Sequence, residues 1–226
     1  MPRRKYRFFK TGNYKVGNTG RLERAVWQML RIIGQLFIQP VKAWHSIRER
    51  NIPAQGALGL TLILAAIPAV SGYIGTTRFG WQVGGSVPVR LTTDSAALIA
   101  VIYYIVLVAA VCSVAWMIRW MGQTYGADQP FRRCLILAVF IPVPLFLTGV
   151  MQIYPLLWLN LIVGIPATAY TVFLLYIGIP IMMEISVERG FLFASAVLAF
   201  GMVGLVGVLA ASVILWGIGI GPAFTI

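Results

Sequence analysis

Between Ala96 and Ile118 the chain reads AALIAVIYYIVLVAAVCSVAWMI, 23 residues without a charge. As an α-helix rising about 1.5 Å per residue it spans roughly 34 Å, enough to cross the ~30 Å hydrocarbon core of a bilayer. A soluble domain can bury one such helix, but four more apolar stretches accompany it. They run from Gln55 or Gly56 to about Gly75, from Cys134 to Gly149 or Val150, from Leu156 to Gly178, and from Phe191 to about Trp216. Only 11% of the 226 residues are charged and 59% are hydrophobic, with a mean hydropathy of +0.86. A soluble domain carries about 25% charge. The expected fold is therefore all-α, a polytopic five-transmembrane-helix bundle with a basic amphipathic N-terminal region.

Charge is concentrated at one end. Residues 1–50 hold twelve of the 18 Lys and Arg side chains and only Glu23 and Glu49 among the six acids. A basic arm can bind nucleic acid, but this one leads straight into membrane spans, where positive charge marks the cytoplasmic side and attracts anionic headgroups. No nucleic-acid partner is expected. With an odd number of spans the termini fall on opposite sides. A cytoplasmic N-terminus puts 16 basic residues inside and leaves Arg78 and Arg90 outside. The expected topology is multi-pass, N-terminus inside and C-terminus outside. Trp81, Trp120, Tyr154 and Trp158 lie where interfacial aromatic anchors are expected. No cleavable signal peptide is expected, because polar residues rather than a prompt apolar core follow the basic start.

Along the chain, residues 1–20 read as a flexible cytoplasmic tail. Residues 21–52 read as interfacial helices: Leu22, Val26, Met29, Leu30, Ile33 and Phe37 recur at helical spacing, and Pro40 stops or kinks the pattern. Arg24 and Arg31 bracket its centre, favouring a helix on the surface over one that spans. VKAWHSIRER then reads as a second short surface helix with His45 facing headgroups or water. The membrane domain covers 53–217, and 218–226 form an uncharged, non-cytoplasmic tail. Pro68 is expected to bend the first span, and Thr93 or Asp94 to cap the second. Pro142 and Pro144 break the third, and Gly164 and Pro166 interrupt the fourth. Gly207 and Ala211 in the last span have the spacing that lets helices approach closely.

Nothing in the pattern carries chemistry. One histidine and two separated cysteines, Cys112 and Cys134, are too few for a metal site, and both thiols read as buried packing. Ser186 beside Glu184 and Glu188 lacks the base and orienting partner that nucleophilic catalysis needs. Glu184 and Glu188 share a face if their link is helical, and ion pairs with Arg119, Arg132, Arg133 or Arg189 at the cytoplasmic rim are the expected use of them. Tyr103, Tyr104, Tyr170 and Tyr176 read as bundle packing. No enzyme activity and no cofactor are expected.

The runs YGADQPFRRCLILAVFIPVPLFLTGV and YPLLWLNLIVGIPATAYTVFLLYIGIPIMMEISVERGFLFASAVL resemble the Yip1 family of multispanning membrane proteins. The resemblance rests on the glycine turn before span three, Pro142 or Pro144 within it, the YTVFLLYIGIP run ending span four, and the short charged link with the Gly/Ala-rich last span. Upstream, QPVKAWHSIRER is similar to the family's proline-led segment, so the likeness covers about residues 36–217. It implies a five-helix bundle with a cytoplasmic N-terminus. Eukaryotic members are adaptors of the early secretory pathway that contact small GTPases, and they carry a DLYGP-like motif. That motif is absent here, so the resemblance points to the bacterial branch of inner-membrane proteins.

Two functions follow as expectations. One is a non-enzymatic membrane organiser or scaffold whose residues 1–50 meet anionic lipid headgroups, with a membrane-protein partner or a second copy as a further partner. The other is a small-solute or ion transporter or channel using proline-broken spans three and four. Its candidate positions are Pro142, Pro144, Asn160, Pro166, Thr168 and Tyr170, with Tyr176, Gly178, Pro180, Glu184 and Glu188 as structural or gating residues.

Overall fold

The computed structural model describes residues 29–50, 52–81, 88–218 and 221–225. The expected tail 1–20, together with Leu22, Arg24 and Val26 of the amphipathic segment, lies outside these residues.

Five helices long and apolar enough to cross a membrane run over Ala54–Phe79, Thr93–Gly122, Phe131–Ile153, Leu157–Met183 and Val187–Gly217. Two short helices precede them, α1 (Met29–Ile38) and α2 (Pro40–Glu49). The first span is α3 (Ala54–Ile74), which ends in a wider π-helical turn over Gly75–Phe79. Pro68 sits inside it, as expected.

The second span is α4 (Thr93–Gly122). Its N-cap is Thr92, without a side-chain cap bond, so the expected capping by Thr93 or Asp94 is corrected: both lie inside the first turn. The register is set instead from outside the helix. Strand β1 (Arg90–Leu91) pairs antiparallel with β2 (Phe224–Thr225) from the C-terminal segment. The Thr92 N–H donates to the Ala223 carbonyl, and the Ala223 N–H to Ser95 Oγ, each at 3.0 Å. These bonds hold the loop before α4 and the segment after α8 at one end of the bundle, as an odd number of spans requires.

The third span is broken where its prolines predict. Helix α5 (Phe131–Phe140) stops, the chain turns through Ile141 and Pro142, and α6 (Val143–Thr148) resumes before a tight 3-10 turn over Gly149–Ile153. Pro142 and Pro144 lack the N–H groups that would have bonded back to Ala138 and Phe140. Gly149 makes the break packable: a Cβ there would lie 2.6 Å from that of Pro68, so the first span and the broken third meet at this point.

The fourth span, α7 (Leu157–Met183), runs past the expected end at Gly178 and carries Pro180 inside it. The Pro180 ring packs on Gly190, where a Cβ would come within 2.8 Å, so this proline is covered by the next helix instead of ending its own. Glu184 ends α7 in the left-handed conformation, φ 57°, and Ser186 caps α8 (Val187–Gly217) by accepting from the Arg189 N–H at 3.4 Å. The link is therefore not helical, and the expected shared face for Glu184 and Glu188 is corrected.

The core gathers around α5, whose residues Cys134 to Phe140 are all buried. Leu60 and Leu64 from α3, Ala115 and Ile118 from α4, Leu174 and Ile179 from α7 and Phe193 from α8 close around it.

Candidate functional site

Helix α1 carries an apolar face on which Ile32 and Leu36 are buried, but its continuation is blocked by chemistry. Pro40 has no N–H, so the Leu36 carbonyl four residues earlier loses its helical partner. Gln39 takes a non-helical conformation, φ −140° and ψ 68°, and the chain reverses into α2. The orphaned carbonyl is met from across the bundle: the Tyr170 hydroxyl donates to it at 2.8 Å and lies 3.3 Å from the Phe37 carbonyl. The Phe37 ring stacks on the same tyrosine, centroids 5.6 Å apart and planes 6° from parallel.

Helix α2 returns along α7. Ala43, Trp44 and Ile47 are buried on it, Trp44 completely. Gly178 is the reason the indole fits, since a Cβ at that position would lie 2.8 Å from the indole ring. The Trp44 N–H is buried without a hydrogen-bond partner.

Depth follows from these partners. Tyr170 is the midpoint of α7, thirteen residues from each end. That is roughly 20 Å from the Met183 end at about 1.5 Å per residue. At the other extreme the Met29 side chain lies beside Gly56, where α3 starts. So α1 and α2 form a helical wedge reaching from the start of α3 to mid-length of α7. The expectation of two helices lying on the surface is corrected to this extent: their apolar faces are covered by the bundle. Leu30, Phe37, Ile38 and Val41 remain exposed on the outside of the wedge, as do Arg31, Lys42 and His45.

The wedge opens onto a rim of charge. Arg132 donates to the Ile52 carbonyl at 3.0 Å, tying the end of the wedge segment to α5. Arg133 pairs with Glu184 at 3.0 Å, and Arg119 with Asp128 at 2.6 Å. Gln129 bridges the first pair, accepting from Arg133 at 2.8 Å while its amide donates to the Met183 carbonyl at 3.4 Å. Arg189 lies against Gly126, whose φ of +73° turns the chain between α4 and α5. Glu188 is exposed in the first turn of α8. Of the expected rim residues, then, Arg133 and Glu184 are brought together and Glu188 is not joined to them.

The other candidates separate into two apolar spaces on either side of a partition formed by Thr148, Met151 and Val163. One, about 570 Å³, lies beyond the wedge tip against Phe37, Pro144, Pro166 and Tyr170. The other, about 580 Å³, lies between α4, the broken third span, α7 and α8, and reaches Pro142, Asn160 and Thr168. Asn160 and Thr168 line this space as expected, with their donors bonded to the local backbone: the Asn160 amide N–H groups donate to the Tyr154 and Leu156 carbonyls, each at 3.0 Å, and the Thr168 hydroxyl to the Gly164 carbonyl at 2.8 Å. Tyr176 is bonded to Ser195 of α8 at 2.9 Å. Cys112 and Cys134 are free thiols, and among the described residues no group of three or more His, Cys, Asp or Glu is arranged to hold a metal.

Sequence reasoning passed over Trp44 and the Leu36 carbonyl. A signal for the second was present: any carbonyl four residues before a proline in a helical pattern needs a partner.

No solved structure matches the chain. The chain is 40% identical over 185 residues to the inner membrane protein YohC of Escherichia coli K12, covering 81% of this chain and 95% of that one. The YohC of Escherichia coli O6:H1 matches to the same extent. The family model described as the Yip1 domain matches residues 34–208, from the wedge tip to the middle of α8. With five apolar spans, a proline-broken third helix and this match, the chain belongs to the Yip1 domain family of integral membrane proteins.

Proposed function

We propose that this chain is a non-enzymatic organiser of the inner membrane that holds α1 and α2 as a wedge in the cytoplasmic leaflet. The observation that carries the reading is the wedge itself, its turn bonded to Tyr170 at the midpoint of α7 and its outer face exposing Phe37, Ile38 and Val41. Inserted beside the bundle, that face displaces acyl chains from one leaflet and not the other. The basic residues of the first fifty, on the side where positive charge is retained, gather anionic lipid around the wedge. Family membership and two relatives named as inner membrane proteins support the membrane assigned.

The transport reading draws less support. The spaces beside Pro142, Pro144 and Pro166 are walled mainly by aliphatic side chains, which offer a hydrated solute little to replace its water. The rim side chains Arg119, Arg133 and Glu184 are engaged in ion pairs, which supports a structural use of them.

The test is reconstitution of the full chain into vesicles of phosphatidylethanolamine with or without phosphatidylglycerol, with vesicle shape read by cryo-electron microscopy. The expected result is narrowed or tubular vesicles that require phosphatidylglycerol and are lost on removal of residues 1–50. Vesicles of unchanged shape in both lipids, or shape changes indifferent to residues 1–50, would overturn it.

A further inference from the structure

Helix α8 is tied to the rest of the molecule at both ends and exposed between them. Near its start Gly190 takes the Pro180 ring, and Phe193 stacks on Tyr125 with centroids 4.9 Å apart. Beyond its end β2 pairs with β1 in front of α4. Every residue from Ala199 to Ala211 is exposed. The two ties hold α8 and α4 around the 580 Å³ space, a volume within the ~300–1,000 Å³ of small-molecule sites. Gly201, Met202 and Leu205 line that space and are themselves exposed, so it is reachable from the side.

The wall changes character along its length. Toward the charged rim it is apolar, with Leu107, Val111 and Val114 of α4, Leu175 of α7 and Val197 of α8. From Tyr103 to Val114 the wall covers roughly 16 Å of helix, about half of the ~30 Å hydrocarbon core. Polar groups gather toward the opposite end, where β1 and β2 lie. Asn160 is the fourth residue of α7, and Gln152 stands in the tight turn after α6. The Tyr103 side chain leans toward the start of α4, as helical side chains do, and its oxygen accepts from the Gln152 amide at 3.2 Å. The hydroxyls of Thr148 and Thr168 are spent on carbonyls of their own helices. That of Thr171, though without a partner, is shielded from the space.

Counting donors and acceptors shows what this end leaves unmet. The Asn160 nitrogen donates to two carbonyls, which fixes the orientation of the amide because its oxygen could bond to neither. Asn160 Oδ1 and Gln152 Oε1 accept from no donor among the described residues, and neither oxygen is buried. Tyr103 donates its own proton to none of them. Two carbonyl oxygens thus await a donor and one phenol awaits an acceptor. No Asp, Glu, Lys, Arg or His lines the space, so a charge drawn inside would have no counter-charge. The fitting occupant is uncharged and long-chained, with a hydroxyl beside a carbonyl. A fatty acid fails on its charge, and a phospholipid has a phosphate where the hydroxyl is needed. A diacylglycerol meets each condition.

We infer that this space binds a diacylglycerol, its hydroxyl donating to Asn160 Oδ1, an ester carbonyl accepting from Tyr103, and one acyl chain lying between α4 and α8 toward the charged rim. The site does not rest on the wedge or on any effect on membrane shape.

The probes are dioctanoylglycerol and its methyl ether, which keeps the chains and esters but cannot donate. Each is added to the full-length chain in detergent, with stoichiometry read by native mass spectrometry and affinity by the shift in Tm. Dioctanoylglycerol is expected to bind saturably, one per chain, and about fivefold more tightly than the ether, the worth of one hydrogen bond. Asn160→Leu should erase that difference by weakening the alcohol alone, whereas Tyr103→Phe should weaken both probes alike. Absence of saturable binding, or equal affinity of the two probes for wild type, would overturn the site, and this comparison stands even where Asn160→Leu does not fold. Equal competition by phosphatidylglycerol of the same chain length, or by dodecanol, would overturn the diacylglycerol assignment, since chain or hydroxyl alone would then suffice.

Discussion

The third span and the last span are equally hydropathic over their most apolar windows, yet 67% of that window is buried in the third and 6% in the last. The third is the axle of the bundle, with Leu135, Leu137, Val139 and Phe140 touched on all sides. The last is buried only near its beginning, through Gly190, Phe193, Ala194 and Val197, and its later turns are exposed although the segment after it returns to the loop before α4. In water such a free apolar helix would collapse onto the nearest surface. In a bilayer the lipid tails are as apolar as leucine, so no hydrophobic force draws it back, and shape complementarity decides what packs. The contrast therefore divides the molecule into a part held by protein and a part presented to lipid or to a ligand.

Substitutions in the packed half should be the most damaging. Trp44→Ala removes a completely buried indole from between α2 and α7 and is expected to cost about 3–5 kcal/mol, read as loss of resistance to unfolding in mixed detergent. Trp44→Phe, which also removes the unpartnered N–H, should cost much less. Gly178→Leu attacks the same contact from the other side and should cost about 1–3 kcal/mol through overpacking, with residues of α2 becoming open to hydrogen exchange. If either variant behaves like wild type, the wedge is not seated on α7.

Smaller effects sharpen the boundary. Tyr170→Phe leaves the Leu36 carbonyl without its donor and should cost about 1 kcal/mol, since hydrogen bonds between membrane helices are worth about 0.6 and rarely beyond 1.7. Cysteine labelling at Val41 should become faster in that variant. Glu184→Gln removes the ion pair with Arg133 at the exposed rim and should change stability by less than about 1 kcal/mol, with a smaller effect at high salt. Gly204→Ala on the free half of α8 should lie within about 0.5 kcal/mol of wild type. A larger loss there, or a change in mass by light scattering, would mean that another chain covers α8.

How much of this was legible beforehand differs from residue to residue. The break at Pro142 could be read directly, because a proline acts on its own backbone wherever the helix lies. Pro180 could not: the same missing N–H ends one helix and is carried inside another, where Pro180 packs on Gly190 of the next span. Thr92 instead of Asp94 became the cap because the segment after the last span pins the preceding loop from 130 residues away. The candidate site was legible in part. Arg133 and Glu184 are legible as rim partners, but VKAWHSIRER reads only as a surface helix, and nothing in it singles out the buried Trp44.

By itself the order of residues determined five spans, their approximate limits, the broken third helix and the gathering of positive charge before the first. Each of these depends on length, charge or proline chemistry, which act locally and need no knowledge of neighbours. Tertiary structure alone decided which apolar faces meet protein and which are left to lipid, that α1 and α2 fold inward along α7, and that Thr171 keeps an unanswered hydroxyl. The reason is physical: transfer into hydrocarbon depends on how apolar a side chain is, whereas the choice between a neighbouring helix and a lipid tail depends on whether a glycine such as Gly178 leaves room for a ring such as that of Trp44.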